Sequence, residues 1–208
     1  MIFRALLLSL AALLSGCIIF DKKSEAVVFH QFAAPPAVPP TSGKPVFVPR
    51  AIIPSALRRP NVVLIDNRGW VHVEDAHRWI APLDRALPET VGRHLIALGG
   101  VRTTNQTPSE EHLVLLLTVD KMEIAAADEP EPSIFSLPGS SVKAGSATFQ
   151  LTCRLEKSDG ALIGVRTLSA SRPLKDRTPA SFVQAQSANV AAAAAELAKW
   201  LPLTSPSK

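Results

Sequence analysis

Ala147-Thr148-Phe149-Gln150-Leu151-Thr152-Cys153-Arg154-Leu155-Glu156 alternates without a break. Ala147, Phe149, Leu151, Cys153 and Leu155 fall on one face, and the hydroxyl, amide and charged residues fall on the other. A period of two marks a strand with one buried face. Ser158-Asp159-Gly160 then supplies turn residues, and 161–172 returns in the same pattern. The stretch therefore predicts a β-hairpin of 145–157 and 161–172. Cys153 belongs to the apolar row, so it reads as a small core residue rather than a reactive thiol.

Downstream, the period changes. Val183, Val190, Leu197 and Leu201 mark the buried stripe of a helix from about Pro179 to Leu201, carrying the alanine run 191–195. Trp200, near its end, can cover the sheet or meet a partner. Upstream lies an acidic, proline-broken loop, Asp128-Glu129-Pro130-Glu131-Pro132. Before it, Leu113 to Val119 is apolar on both faces, which predicts a central, doubly covered strand whose alternation continues through Met122 and Ile124. Trp79, Leu83, Leu87, Val91, Leu95 and Leu98 recur at threes and fours. That spacing predicts a helix with Asp75 as N-cap, Gly99-Gly100 as stop, Trp79 on its buried stripe and a kink near Pro88. Asn61 to Asp66 and Trp70 to Glu74 form a second hairpin about Asn67-Arg68-Gly69. Two further strands, 26–32 and 46–53, flank a Pro-rich loop. The order strands, helix, strands, helix predicts an α+β fold: a single domain, mostly antiparallel sheet with hairpins, and two main helices packed on it.

The charges are 22 Lys and Arg against 18 Asp and Glu, a net +4. The basic residues are scattered and form no stripe with aromatics, which argues against nucleic acid as a partner. There is no G-x-x-x-x-G-K-[ST], so the chain is not an ATPase of that type, and no G-x-S-x-G or H-E-x-x-H. Five histidines are present, densest at His72-Val73-Glu74-Asp75-Ala76-His77. A strand and a helix start do not oblige His72 and His77 to converge, so no metal site is expected. No catalytic residue and no cofactor is expected either.

The chain starts with Arg4 and an apolar run, Ala5 to Leu14, that ends in Leu14-Ser15-Gly16-Cys17. Ten helical residues rise only about 15 Å, half of a bilayer core of about 30 Å. Basic start, apolar centre and small residues make a signal peptide. Its end is a lipobox, the pattern of bacterial lipoprotein precursors, with cleavage between Gly16 and Cys17 and lipidation of Cys17. In that class Asp after the cysteine retains the product in the inner membrane; Ile18 stands here, which implies the outer membrane, periplasmic face. The expected organisation is a signal peptide, 1–16; a lipid-anchored segment with a short strand and Pro-rich loop, 17–45; a folded domain, 46–202; and a polar tail, 203–208. Residues 1–16 carry one charge, Arg4, so the remaining 192 residues hold +3 of the net +4.

Pro54-Ser55-Ala56-Leu57-Arg58-Arg59-Pro60-Asn61-Val62-Val63-Leu64, followed by His77-Arg78-Trp79-Ile80-Ala81-Pro82-Leu83-Asp84, resembles the PqiC-type family of ABC-type transport auxiliary lipoproteins. The lipobox, the strand after it and the alanine-rich last helix fit the same pattern. The resemblance implies an outer-membrane docking or assembly component of an intermembrane transport system. Its partners would be an MCE-domain protein and an ABC permease and ATPase, its cargo lipid, and a ring-like homo-oligomer is compatible with it. Arg58, Arg59 and Arg78 are the candidate partner-interface residues, because arginine is favoured at interfaces. The alternative is a structural envelope lipoprotein without cargo. A lipid-tethered hydrolase would need a nucleophile.

Overall fold

The computed structural model describes residues 25–37, 45–66, 68–99, 101–125 and 145–201. The lipobox, the acidic loop and the polar tail lie outside them. Among the described residues eight strands and two long helices follow one another: β1 Val28–His30, β2 Pro45–Phe47, a 3₁₀ turn Ser55–Leu57, β3 Asn61–Ile65, β4 Val71–Trp79, α1 Leu83–Leu98, β5 Arg102–Thr104, β6 Leu113–Ala125, β7 Ser146–Lys157, β8 Leu162–Pro173 and α2 Pro179–Trp200. The fold is α+β. It has two sheets, ordered β1-β4-β3 and β5-β2-β6-β7-β8.

The hairpin β7–β8 forms as its alternation predicts. Ala147, Phe149, Leu151, Cys153 and Leu155 are all buried. At the turn, Gly160 takes φ +87°, and the Ala161 N–H donates to Asp159 Oδ1 at 2.9 Å. β6 is central, but its second face is only partly covered: Leu113, Leu115, Leu117 and Val119 are buried, Val114, Leu116 and Thr118 half-buried. A bulge between Val119 and Lys121 shifts the phase by one residue, so Met122 rejoins the buried row opposite Phe149.

α2 is started by Thr178, whose side chain accepts the Ser181 N–H, with Pro179 just inside. Its expected stripe, Val183, Val190, Leu197 and Leu201, is buried. Two buried amides fasten it to β7. Gln186 Nε2 donates to Thr148 O at 3.1 Å, and Asn189 Nδ2 to Ala147 O at 2.9 Å. Trp200 lies over the sheet: a Cβ built on Gly164 of β8 would stand 3.2 Å from its ring.

The region before α1 departs from expectation. Asp75 does not cap a helix, and Trp79 is not on one. β4 runs through both, and α1 begins only at Leu83, with Pro82 at its N-cap. The cause is pairing: β4 is flanked by β3 on one side and β1 on the other, with Val28, Phe29 and His30 opposite His77, Arg78 and Trp79. Those ladders outweigh the helical spacing of Trp79, Leu83 and Leu87. Trp79 is still a core residue, 4% exposed.

Pro88 stands inside α1, which continues through it to Gly99, where φ is +84°. Proline cannot donate to the carbonyl four residues back. That carbonyl, Asp84 O, accepts the Ala51 N–H at 2.8 Å instead. The pairing of short strands is also unlike the expectation. β2 lies parallel to both β5 and β6, and β1 parallel to β4, so both sheets are mixed.

Candidate functional site

The resemblance motifs, far apart in sequence, converge at one end of the three-stranded sheet. Leu57 of the 3₁₀ turn is buried and holds the segment that leads to Arg58-Arg59-Pro60. Pro60 O accepts the Trp79 N–H at 2.7 Å, and His30 O accepts the Ile80 N–H at 2.9 Å. The Arg59-Pro60 and Arg78-Trp79 motifs and β1 are therefore tied into one unit. Its inner face is closed by Phe32, whose ring stands 4.9 Å from that of Trp79. On the same face His30 and His77 meet: Nε2 of one lies 2.8 Å from Nδ1 of the other, and the rings stack at 5.1 Å. One ring N–H donates to the other's lone pair, so two imidazolium ions do not fit this arrangement. Burial and, secondly, the neighbouring His77 hold the His30 pKa below its ordinary value.

Arg58, Arg59 and Arg78 are all exposed. The backbone segments that carry Arg59 and Arg78 are joined by the Trp79 N–H to Pro60 O bond. Arg58 lines a separate cleft of about 410 Å³ with Arg50 and Asp84, which pair at 3.3 Å. Cys17 and Gly16 lie outside the described residues. His72 pairs with Glu74 at 3.4 Å while His77 faces His30, so the two do not converge.

Two grooves were not read from the sequence. One, about 580 Å³, runs between α1 and β5 and holds Arg85, Glu89 and Arg93. It is narrow because Gly92 lets β5 come close: a Cβ there would stand 3.0 Å from Thr103 Oγ1. The other, about 650 Å³, lies between residues 31–35, His94 and α2 and is mostly apolar. In the second groove the Ser187 hydroxyl is engaged by the backbone, donating to Val183 O at 2.8 Å and accepting the Ala33 N–H at 3.1 Å. Cys153 is buried, and burial pushes its thiol up to about 12, far from the thiolate that chemistry would need. The molecule presents surfaces for recognition.

Such a fold places the chain in the class of α+β domains in which a pair of helices packs on two mixed sheets. The particular family is defined by its sequence pattern: the chain belongs to the ABC-type transport auxiliary lipoprotein component family, whose model matches residues 30–198. No curated protein matches the chain. Among solved structures, one of an uncharacterized protein is similar at 17% identity and TM-score 0.67, covering 85% of this chain and 99% of that one. A protein from Xanthomonas campestris is similar at 18% identity and TM-score 0.63, covering 83% and 94%. These likenesses support the fold.

Proposed function

We propose that the protein is anchored through lipidated Cys17 on the periplasmic face of the outer membrane and docks an intermembrane lipid transport system. The observation that carries the reading is the family match over residues 30–198, standing directly behind a lipobox at Leu14-Ser15-Gly16-Cys17. Two acyl signals hold a protein stably where one does not, so a fully acylated Cys17 is a lasting anchor. Ile18, in place of Asp, supports outer-membrane sorting. The partners in this reading are an MCE-domain protein and an ABC permease and ATPase, and the cargo is lipid. Arg58 and Arg59 lead the surface offered to them, as exposed arginines on a segment fixed by Leu57 and Pro60.

The test is capture in living cells. The C-terminus is tagged after Lys208, the cells are cross-linked, and the complex is purified in mild detergent and identified by mass spectrometry. MCE-domain and ABC permease or ATPase subunits are the expected companions, with loss of capture in Arg59→Ala although the variant folds. Recovery of cell-wall or unrelated outer-membrane proteins alone would sink the transport role and favour the structural lipoprotein.

A further inference from the structure

We infer that the outer face of the β1 edge, formed by Phe29, Arg78 and Ile80, rests in the headgroup region of the membrane that holds the anchor. The inference rests on the proposed lipidation of Cys17. Phe29 and Arg78 are register partners on parallel strands, so they share a face, and Trp79 occupies the opposite one with His30. Ile80 follows directly after β4, where its N–H is held by His30 O, and its side chain is exposed. Phe29 is 63% and Ile80 65% exposed, and Val27, just before β1, is exposed as well. No other described part of the chain places an exposed phenylalanine, and its position is telling. Val27 stands ten positions after Cys17, and ten residue steps join them. Fully extended they span at most about 35 Å, so this edge cannot leave the vicinity of the bilayer. The chemistry fits a lipid surface: an aromatic ring and an aliphatic side chain for the acyl boundary, and between them a guanidinium suited to phosphate. The Arg78 side chain makes no ion pair or hydrogen bond among the described residues. Arg58, the leading candidate for the partner surface, faces a different cleft.

The experiment uses full-length protein in vesicles of phosphatidylethanolamine and phosphatidylglycerol. A nitroxide is placed by Phe29→Cys, by Ile80→Cys and, on the outer strand of the other sheet, by Leu162→Cys. Cys153 is fully buried and does not compete for the label. Collision with oxygen, which concentrates in lipid, is compared with collision with a water-soluble nickel chelate. The expected result is oxygen preference at positions 29 and 80, nickel preference at 162, and a shift toward nickel at 29 when Arg78→Glu is added. Nickel preference at 29 and 80 overturns the inference, and so does shielding from both reagents, which would mark a protein contact. Intact mass of the same sample reports acylation separately. If Cys17 is unmodified, the anchor reading fails, and the same labels on a Cys17→Ser chain mixed with vesicles still decide the patch.

Discussion

Phe149 and Phe29 are the same side chain in two sheets. Phe149, on β7, is 1% exposed and lies beneath the helices; Phe29, on β1, is 63% exposed. The difference follows from the strands that carry them. β7 is twelve residues long, is paired along its whole length on both sides, and turns one unbroken apolar row toward α2. β1 is three residues long, with one ladder, and only its inner face meets the core. The apolar row on β7 makes cohesion; the apolar ring on the outer face of β1 is left on display.

The largest test of this contrast is Phe149→Ala. Removing a fully buried ring loses transfer free energy and leaves a cavity, so urea denaturation should show a loss of about 3–5 kcal/mol. A loss below about 1 kcal/mol would mean that the core can collapse around the gap, and cohesion would have to be sought elsewhere.

The second test concerns the seam between Ala51 and α1. The carbonyl orphaned by Pro88 is served by the Ala51 N–H. Ala51→Pro removes that donor and should cost about 1–3 kcal/mol. Adding Pro88→Ala lets the helix supply its own N–H, so part of the loss should return in a double-mutant cycle. Strict additivity of the two changes would show that the bond carries no weight.

The third test is smaller and depends on pH. In the unfolded chain His30 protonates around its ordinary value of 6.5; in the folded chain it resists until lower pH. The folded state therefore has its full advantage above pH 6.5, and loses it as pH falls toward the folded value. Urea midpoints should drop from pH 7.5 to pH 5.5, those pH values being bracketed about 6.5, and should drop less in His30→Gln. An equal drop in both proteins would remove the histidine pair from the account.

These effects track what the sequence could reveal. The β7–β8 hairpin is legible because alternation and Ser158-Asp159-Gly160 are local signals. α2 is legible because its stripe, its cap and Pro179 agree. The β4–α1 boundary is not, because Trp79, Leu83 and Leu87 keep helical spacing across it. What makes 77–79 a strand is β1, 49 residues earlier at the Val28–His77 pair. The same distance hides the patch. Phe29 reads as one residue of a short β-like run, and Ile80 as a residue after a tryptophan. Only the register of β1 on β4 brings their two segments together. The Arg59-Pro60 and Arg78-Trp79 motifs were visible, but the bond from Trp79 N–H to Pro60 O that joins them was not.

The smallest expected effect closes the comparison with its opening pair. Phe29→Ser removes a ring that is already largely in water, so little transfer free energy is at stake. The strand keeps its other holds: the Ile80 N–H on His30 O, the His30–His77 bond, and Phe32 against Trp79. Stability should change by less than about 0.5 kcal/mol in urea, against several for Phe149→Ala. A cost approaching that of Phe149→Ala would make Phe29 part of the cohesive core despite its exposure, and the distinction between the two sheets would fail. A near-zero cost leaves an exposed aromatic on the strand nearest the proposed anchor with no role in holding the fold. Its role must then lie in what it touches outside the molecule.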